Sequence, residues 1–404
     1  MLTNVGAAQW APPLPDSCAA CGATGMSVFF EQRNVPVHSV LLMPTREIAL
    51  NYPKGDIALA FCPACGFISN VAFKPEAHSY SSSYEETQGF SPMFRDFHHR
   101  LARQLIDRYD LHSKSVLEIG CGKGEFLTLL CELGAIRGIG FDPAYVSDRV
   151  SADVQDRVTF IKDFYSEKYA SYRADFVCCK MTLEHILPAA NFVRRVRRSI
   201  GDRRDTVVFF QVPDVVRILR EVAFWDVYYE HCSYFSAGSL ARLFRACGFD
   251  VTDLWKDYGD QYLMLAARPS NGHPSHPLSQ EDDLKELADH VKLFSAKYQQ
   301  KLNAWKREIE QIKRKNQKAV VWGGGSKGVA FLTGLNIRRE IEFVVDIDPF
   351  KHGTYMAGTG QAIVAPEFLR EYQPDTVIVM NPIYRDEIRR DLTRMGLTPQ
   401  ISAI

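Results

Sequence analysis

Neither sign of charge is in excess in this 404-residue chain: 48 Lys and Arg face 48 Asp and Glu, for a formal net charge of zero. A nucleic-acid binder usually carries a basic surplus, so nucleic acid is not expected as a partner. Also missing is any apolar run of the roughly 18–20 residues that cross a bilayer, so no membrane partner is expected either. Met1–Pro15 lacks the basic stretch followed by an apolar stretch that marks a secretory signal, and a cytoplasmic location is expected. What the chain does have is ten cysteines. In a reducing compartment, paired cysteines read as metal ligands before they read as disulfides.

The length suits two or three domains. The expected class is α/β, divided into residues 1–74, 75–268, a linker with a connecting helix at 269–318, and 319–404. The first part is turn-rich, with short strands at Val35–Val40 and Ile57–Phe61. Phe94, Phe97, Leu101 and Leu105 then fall at helical spacing. A βα alternation begins at Ser115, with strands at Ser115–Ile119, Ile136–Phe141, Val158–Ile161, Phe176–Lys180 and Thr206–Gln211, which predicts a parallel sheet covered on both faces. Val251–Trp255 and Gln261–Ala267 suit an antiparallel pair at its edge. Pro269–Pro277 reads as a linker and Gln280–Lys318 as a charged, solvated connecting helix. A second alternation follows, with strands at Ala319–Trp322, Glu342–Val345, Ala362–Val364 and Thr376–Met380.

Cys18-Ala-Ala-Cys21 and Cys62-Pro-Ala-Cys65 are each followed by glycine. Each short turn points two thiolates at one ion, and two turns complete a tetrahedral S4 set, so a structural Zn2+ is expected. Cys178, Cys179 and Cys247 sit in apolar surroundings and read as core.

Ser115–Phe126 is a strand that turns through Gly120, Gly122 and Gly124 into a helix. Glycines there allow tight dihedrals and close approach to a ligand. Glu118 can hold a cationic amine. Asp142 ends the next strand, where a carboxylate takes ribose hydroxyls. Asp163 and Phe164 follow the third strand and suit an adenine edge and face. Met181 follows the fourth, in Lys180-Met-Thr-Leu-Glu-His-Ile186. These four elements, in this order, resemble class I S-adenosylmethionine-dependent methyltransferases from about Tyr84 to Ala267. The resemblance implies S-adenosylmethionine as cofactor. The GxGxxG of NAD-binding domains is absent from this loop. Glu184 and His185 read as helix-capping and pocket-shaping residues.

Phe224–Ser236 packs aromatics around an acid and an imidazole just after the fifth strand. A sheet of this kind opens its cleft at the carboxyl ends of its strands, so Tyr228, Glu230 and His231 are placed to face the methyl group. Histidine is the natural base near neutral pH. A buried aromatic cluster with a satisfied histidine is the alternative. The whole arrangement of zinc-binding front domain, class I core, Glu-His-x-x-Tyr-Phe-Ser segment and trailing Rossmann-like domain looks like the sugar C-methyltransferases of deoxysugar pathways. That resemblance implies a nucleotide-linked 4-keto sugar as substrate and a tyrosine brought in from the front, Tyr84 or Tyr80. In those enzymes the position of Tyr229 is often histidine, a departure that bears on the substrate. An O- or N-methyltransferase, or a non-catalytic zinc-containing binding protein, are the other readings.

In the trailing domain, Gly323, Gly325 and Gly328 fit GxGxxG, and Asp346 ends the next strand. Bound NAD(P) is one reading. The resemblance instead implies work on the substrate cleft, with the helix start and Lys327 suited to an anion.

Overall fold

The computed structural model describes residues 15–77, 83–134, 136–147, 154–272 and 276–404. Tyr80 and part of the 269–277 linker lie outside the described residues. The α/β class expected from the sequence is the one the chain adopts, built as three sheets.

The front unit contains β1 (Ser27–Pro36), α1 (Arg46–Asn51), β2 (Lys54–Phe61) and β3 (Ile68–Asn70). The central unit begins with α2 (Pro92–Tyr109) and runs through β4 (Ser115–Ile119), α3 (Glu125–Gly134), β5 (Arg137–Phe141), β6 (Val158–Ile161) and β7 (Phe176–Lys180). It continues with α4 (Ala189–Ile200), β8 (Val207–Pro213), α5 (Val215–Glu221), β9 (Ser233–Tyr234), α6 (Ala237–Ala246), β10 (Phe249–Asp257) and β11 (Tyr262–Pro269). Helix α7 (Leu284–Arg314) leads to β12 (Ala319–Trp322), α8 (Ser326–Leu335), β13 (Phe343–Val345) and β14 (Ala362–Val364). The chain closes with α9 (Leu369–Tyr372), β15 (Thr376–Val379), α10 (Arg385–Arg394) and β16 (Gln400–Ala403).

The central sheet has the order β10-β11-β8-β7-β4-β5-β6. Strands β4 to β8 run parallel, and β10 and β11 form the antiparallel edge. Chain order reverses at β4, which pairs with β5 on one side and β7 on the other. Loops leaving the two sides diverge there and open a crevice. The trailing sheet, β14-β13-β12-β15-β16, is parallel throughout and reverses in the same way at β12. Ser91 caps α2, accepting from the Phe94 amide at 3.3 Å, and Phe94, Phe97, Leu101 and Leu105 turn inward as the spacing predicts.

Two elements differ from the sequence reading. The first front strand covers residues 27–36, not 35–40. It ends at Pro36, which has no amide proton for a further ladder bond. The chain then leaves the sheet and carries His38 and Ser39 into the interior. Helix α7 is not solvated all round. It buries Leu287, Val291, Phe294, Leu302, Trp305, Ile309 and Ile312. Phe294 meets Phe30 of the front sheet, with ring centroids 5.4 Å apart, and Trp305 meets Phe331 of α8 at 5.1 Å. The short strands β3, β9 and β16 have no periodicity to read. Strand β9 pairs with β3, so the segment holding Glu230 and His231 is pinned to the front sheet. Among the described residues, no helix is long and apolar enough to cross a membrane.

Candidate active site

The front sheet carries two matching knuckles. In each, the glycine after the second cysteine donates to the carbonyl of the first: Gly22 to Cys18 at 2.8 Å and Gly66 to Cys62 at 2.9 Å. Both glycines take a left-handed φ, +77° and +76°, which side chains rarely adopt. The turns bring Cys18 Sγ to 3.7 Å from Cys65 Sγ, and Cys21 Sγ to 3.7 Å from Cys62 Sγ. Zn–S bonds of about 2.3 Å at tetrahedral angles put sulfurs about 3.8 Å apart, so these four fit a zinc ion. Arg242 of α6 donates to the Cys65 carbonyl at 3.0 Å and to Asp283 at 2.8 Å, fixing the knuckles to the central unit and the start of α7.

The crevices of the central and trailing sheets open into one cavity of about 730 Å3. At its central end, the loop after β4 turns through Gly120, Gly122 and Gly124, all at positive φ. A Cβ at Gly120 would lie 2.0 Å from Thr182 Oγ1, and one at Gly122 would lie 2.6 Å from Glu86 Oε1. Asp142 accepts from the Gly122 amide at 2.9 Å and the Ala144 amide at 2.7 Å. It therefore shapes the loop while presenting its other lone pairs to the cavity. Burial raises its pKa. Glu118 and Glu86 each keep a buried carboxyl oxygen without a partner among the described residues. Burial, the main cause, pushes both pKa values up to about 7. Lys123 donates to the Ala144 carbonyl at 2.9 Å, and its charge partly offsets the rise at Glu86 and Asp142. Three carboxyls with unused capacity suit a cationic ligand that also carries vicinal hydroxyls. Met181, at φ +48°, lines the same space. Asp163 and Phe164 form its rim. Asp163 accepts from Tyr169 at 2.6 Å and pairs with Lys168, and these contacts, Lys168 first, bring its pKa down to about 2. Phe164 is 60% exposed.

Further in, Tyr228 and His231 line the cavity, with ring centroids 4.1 Å apart. His185 stands edge-on to His231 at 4.8 Å. Burial is the main cause of a pKa well below the ordinary value at His231; His185 and Lys327 add to it. Burial also keeps the Tyr228 hydroxyl protonated far above its usual range. Tyr84 is buried and lines the cavity beside Val40 and Ala144. Glu230 does not line it. Its carboxylate turns to Ser39 and His38, the latter at 3.4 Å, and its carbonyl pairs with His185 Nδ1 at 3.0 Å. Ser39, its proton given to Glu230, accepts from the Ser326 hydroxyl of the trailing glycine loop at 2.8 Å. His38, Ser39 and Glu86 were not read from the sequence: each lies in a loop without periodicity, and Ser39 stands 191 residues from Glu230.

Two expectations need correction. Tyr229, the departure from the family pattern, does not touch the cavity. Its hydroxyl accepts from the Lys74 amide at 2.9 Å, and its ring fills the space over Gly55, where a Cβ would come within 2.2 Å. Glu184 caps no helix. It lines the cavity at 1% exposure, and neither carboxyl oxygen has a partner among the described residues.

The trailing loop repeats the wiring of the first. Gly324 donates to Asp346 at 2.7 Å and Asp348 donates at 2.9 Å, as Gly122 and Ala144 do to Asp142. Asp346 is further occupied by Lys351 at 3.4 Å, which leaves it less able to receive a ribose. Lys327, at the start of α8, pairs with Asp226 in the turn packed against that helix, and Asp226 also pairs with Arg217.

Residues 92–254 match a family model described as a methyltransferase domain, and residues 275–397 match a C-methyltransferase C-terminal domain. The C-methyltransferase NovU of Streptomyces niveus is 27% identical over 286 residues, 68% of this chain and 67% of its own. Among solved structures, the 1,6-didemethyltoxoflavin-N1-methyltransferase of Burkholderia thailandensis is 19% identical with a TM-score of 0.34, over 45% of this chain and 82% of that one. The N,N-8-amino-8-demethyl-D-riboflavin dimethyltransferase of Streptomyces davawensis is 17% identical with a TM-score of 0.34, over 44% of this chain and 56% of that one.

Proposed function

We propose that this chain, a class I S-adenosylmethionine-dependent methyltransferase resembling the sugar C-methyltransferases, methylates the carbon beside the ketone of a nucleotide-linked 4-keto sugar. The observation that carries this reading is the neutral His231 set against a protonated Tyr228 in a cavity shared with the cofactor loop. A C–H beside a ketone is acidic enough for a neutral imidazole to remove. His231 takes that proton, and Tyr228 donates a hydrogen bond to the oxygen on which charge develops. Glu230 acts from behind, holding His185 through its carbonyl and bridging to Ser39. Glu118 and Asp142 hold the cofactor's amine and ribose, with Gly120, Gly122 and Met181 around them and Asp163 and Phe164 at the adenine end. S-adenosylmethionine supplies the electrophilic methyl group. Tyr84 closes the acceptor pocket from the front. The trailing loop, with Lys327, faces the nucleotide portion. The four cysteines hold a structural zinc: four thiolates leave no open coordination position for chemistry.

The test is proton exchange without methyl transfer. The protein, saturated with S-adenosylhomocysteine, is incubated in D2O with a dTDP-4-keto-6-deoxy sugar. NMR is expected to show deuterium entering one position beside the ketone. H231N is expected to slow that exchange by roughly 100- to 10,000-fold, the usual contribution of a general base, with cofactor affinity unchanged. Exchange that persists in H231N removes His231 from the mechanism.

A further inference from the structure

We propose that Glu184 is the proton partner of His231: the imidazole lifts the proton from carbon, and Glu184 holds it until product leaves. This rests on the reading of His231 as the base. A Glu184 carboxyl oxygen and a ring nitrogen of His231 lie within 4.8 Å of each other, and both residues line the cavity.

Three observations support it. First, Glu184 is a buried carboxyl with no task in the fold. Neither oxygen has a hydrogen-bond partner among the described residues, although a polar group in that position normally finds one. Second, its place beside the base is built in. Glu184 sits in the short turn Leu183–His185 after β7. The two residues that follow His231 hold that turn: the Cys232 thiol donates to the Glu184 carbonyl at 3.6 Å, and Ser233 donates to the Ile186 carbonyl at 2.9 Å. Rotation of the carboxyl closes the remaining gap, or a single bridging oxygen spans it. Third, the acid next to His231 in the chain is taken. Glu230 is engaged by Ser39 and His38 and does not line the cavity.

The order of basicity directs the proton. Burial, the main cause in both, holds His231 well below its ordinary pKa and pushes Glu184 up to about 8. The groups that face Glu184 are Cys179 on β7, Tyr228, Cys232, Tyr262 on β11 and the two buried histidines, none of them charged positive at neutral pH. Those around His231 are Tyr228, His185, Tyr234 and the charge of Lys327. With Glu184 protonated, proton transfer from carbon to His231 leaves an unpaired buried cation. With Glu184 ionised, the same transfer leaves an ion pair, and the proton passes on to the carboxylate. The C–H bond breaks, its electron pair becomes the enolate, and an O–H bond forms on Glu184. Proton removal is therefore supported above about pH 8 and lost as the pH falls through it. The cofactor's sulfonium, a cation in the same cavity, favours the ionised acid and moves that limit down.

The test uses the full chain with its cysteine cluster filled by zinc. Saturation with S-adenosylhomocysteine keeps Glu118 and Glu86 out of the profile. Deuterium entry into a saturating dTDP-4-keto-6-deoxy sugar is followed by NMR from about pH 6 to about pH 9.5. The wild-type rate is expected to rise about tenfold per pH unit and to level off near pH 8. E184Q is expected to lose that rise and to run roughly 10- to 100-fold slower at the plateau, with KM within about twofold. E184D is expected to restore part of the rate. A second measurement needs no substrate. In protein labelled with 15N-histidine, the His231 ring signal, assigned by its loss in H231N, is expected to step near pH 8 in the wild type and to show no such step in E184Q. An E184Q exchange profile that matches the wild type, or a His231 step near pH 8 that survives in E184Q, overturns the proposal. Exchange that persists in H231N fails the base reading instead. If no keto sugar exchanges, the ring titration still decides whether the two groups are coupled, so the two failures are separate results.

Discussion

Burial of carboxyls sets the chemistry at the cofactor end. Glu118 and Glu86 have pKa values raised to about 7, burial being the main cause. Protonated, they offer nothing to a cation; ionised, they attract one. Affinity for S-adenosylmethionine, which carries a sulfonium, is therefore expected to rise about five- to tenfold between about pH 6 and pH 8. S-adenosylhomocysteine lacks that charge and is expected to change less. Calorimetry with both ligands across this range checks it, and a flat or falling S-adenosylmethionine affinity contradicts it. Tyr229 gives a second prediction. Its side chain anchors Lys74 and covers Gly55 outside the cavity. Y229H is expected to leave KM for the sugar within about twofold while lowering stability by about 1–3 kcal/mol, chiefly the cost of lost packing, with the lost bond to the partly buried Lys74 amide adding to it. A changed sugar preference in Y229H, measured by competition, would put that residue back in the pocket.

What was legible at this scale follows the chain's own continuity. Gly120, Gly122 and Asp142 are readable because strand, turn and helix are contiguous and each residue type has one conformational or chemical purpose there. His38, Ser39 and Glu86 were not, because only the tertiary fold brings them to residues far along the chain. Tyr229 misled for a related reason: neighbours in a loop point opposite ways, and the sequence does not say which one faces the ligand.

Among the elements, the two knuckles are the clearest case of sequence dictating structure. Identical turn chemistry, Cys-x-x-Cys-Gly, yields the same hydrogen bonds and nearly the same φ. Serine is a poor zinc ligand. C62S is expected to lose the metal by elemental analysis and to lower the first melting transition by at least about 5 °C, because zinc binding and folding of such a site are coupled. Unchanged metal content and melting would mean the cysteines hold no ion. Short strands were the unreadable elements. Three residues of β3 and two of β9 carry no period, yet their pairing pins the His231 segment to the front sheet. Helix α7 shows the converse. Its charge suggests solvation, but a stripe of seven buried side chains runs along it.

Across the whole molecule, two α/β units with equivalent glycine loops open onto one cavity, and the front unit adds Tyr84, Glu86 and, from behind, Ser39. The central crevice is lined by buried carboxyls, and the trailing one by the start of α8, where Lys327 is held by Asp226. Holding both reactants in one enclosure removes much of the entropic barrier to their reaction. The repeated strand–glycine–helix pattern was visible in sequence. That the two crevices meet was not, because the meeting depends on packing along α7 and on side chains such as Lys327 and Asp226 that pair between the two units. The most direct measurement is an NMR analysis of product formed from 13C-methyl-labelled S-adenosylmethionine and a panel of dTDP-4-keto-deoxy sugars. A labelled methyl signal coupled to a sugar carbon beside the ketone is the predicted result. A label appearing on oxygen or nitrogen would contradict it.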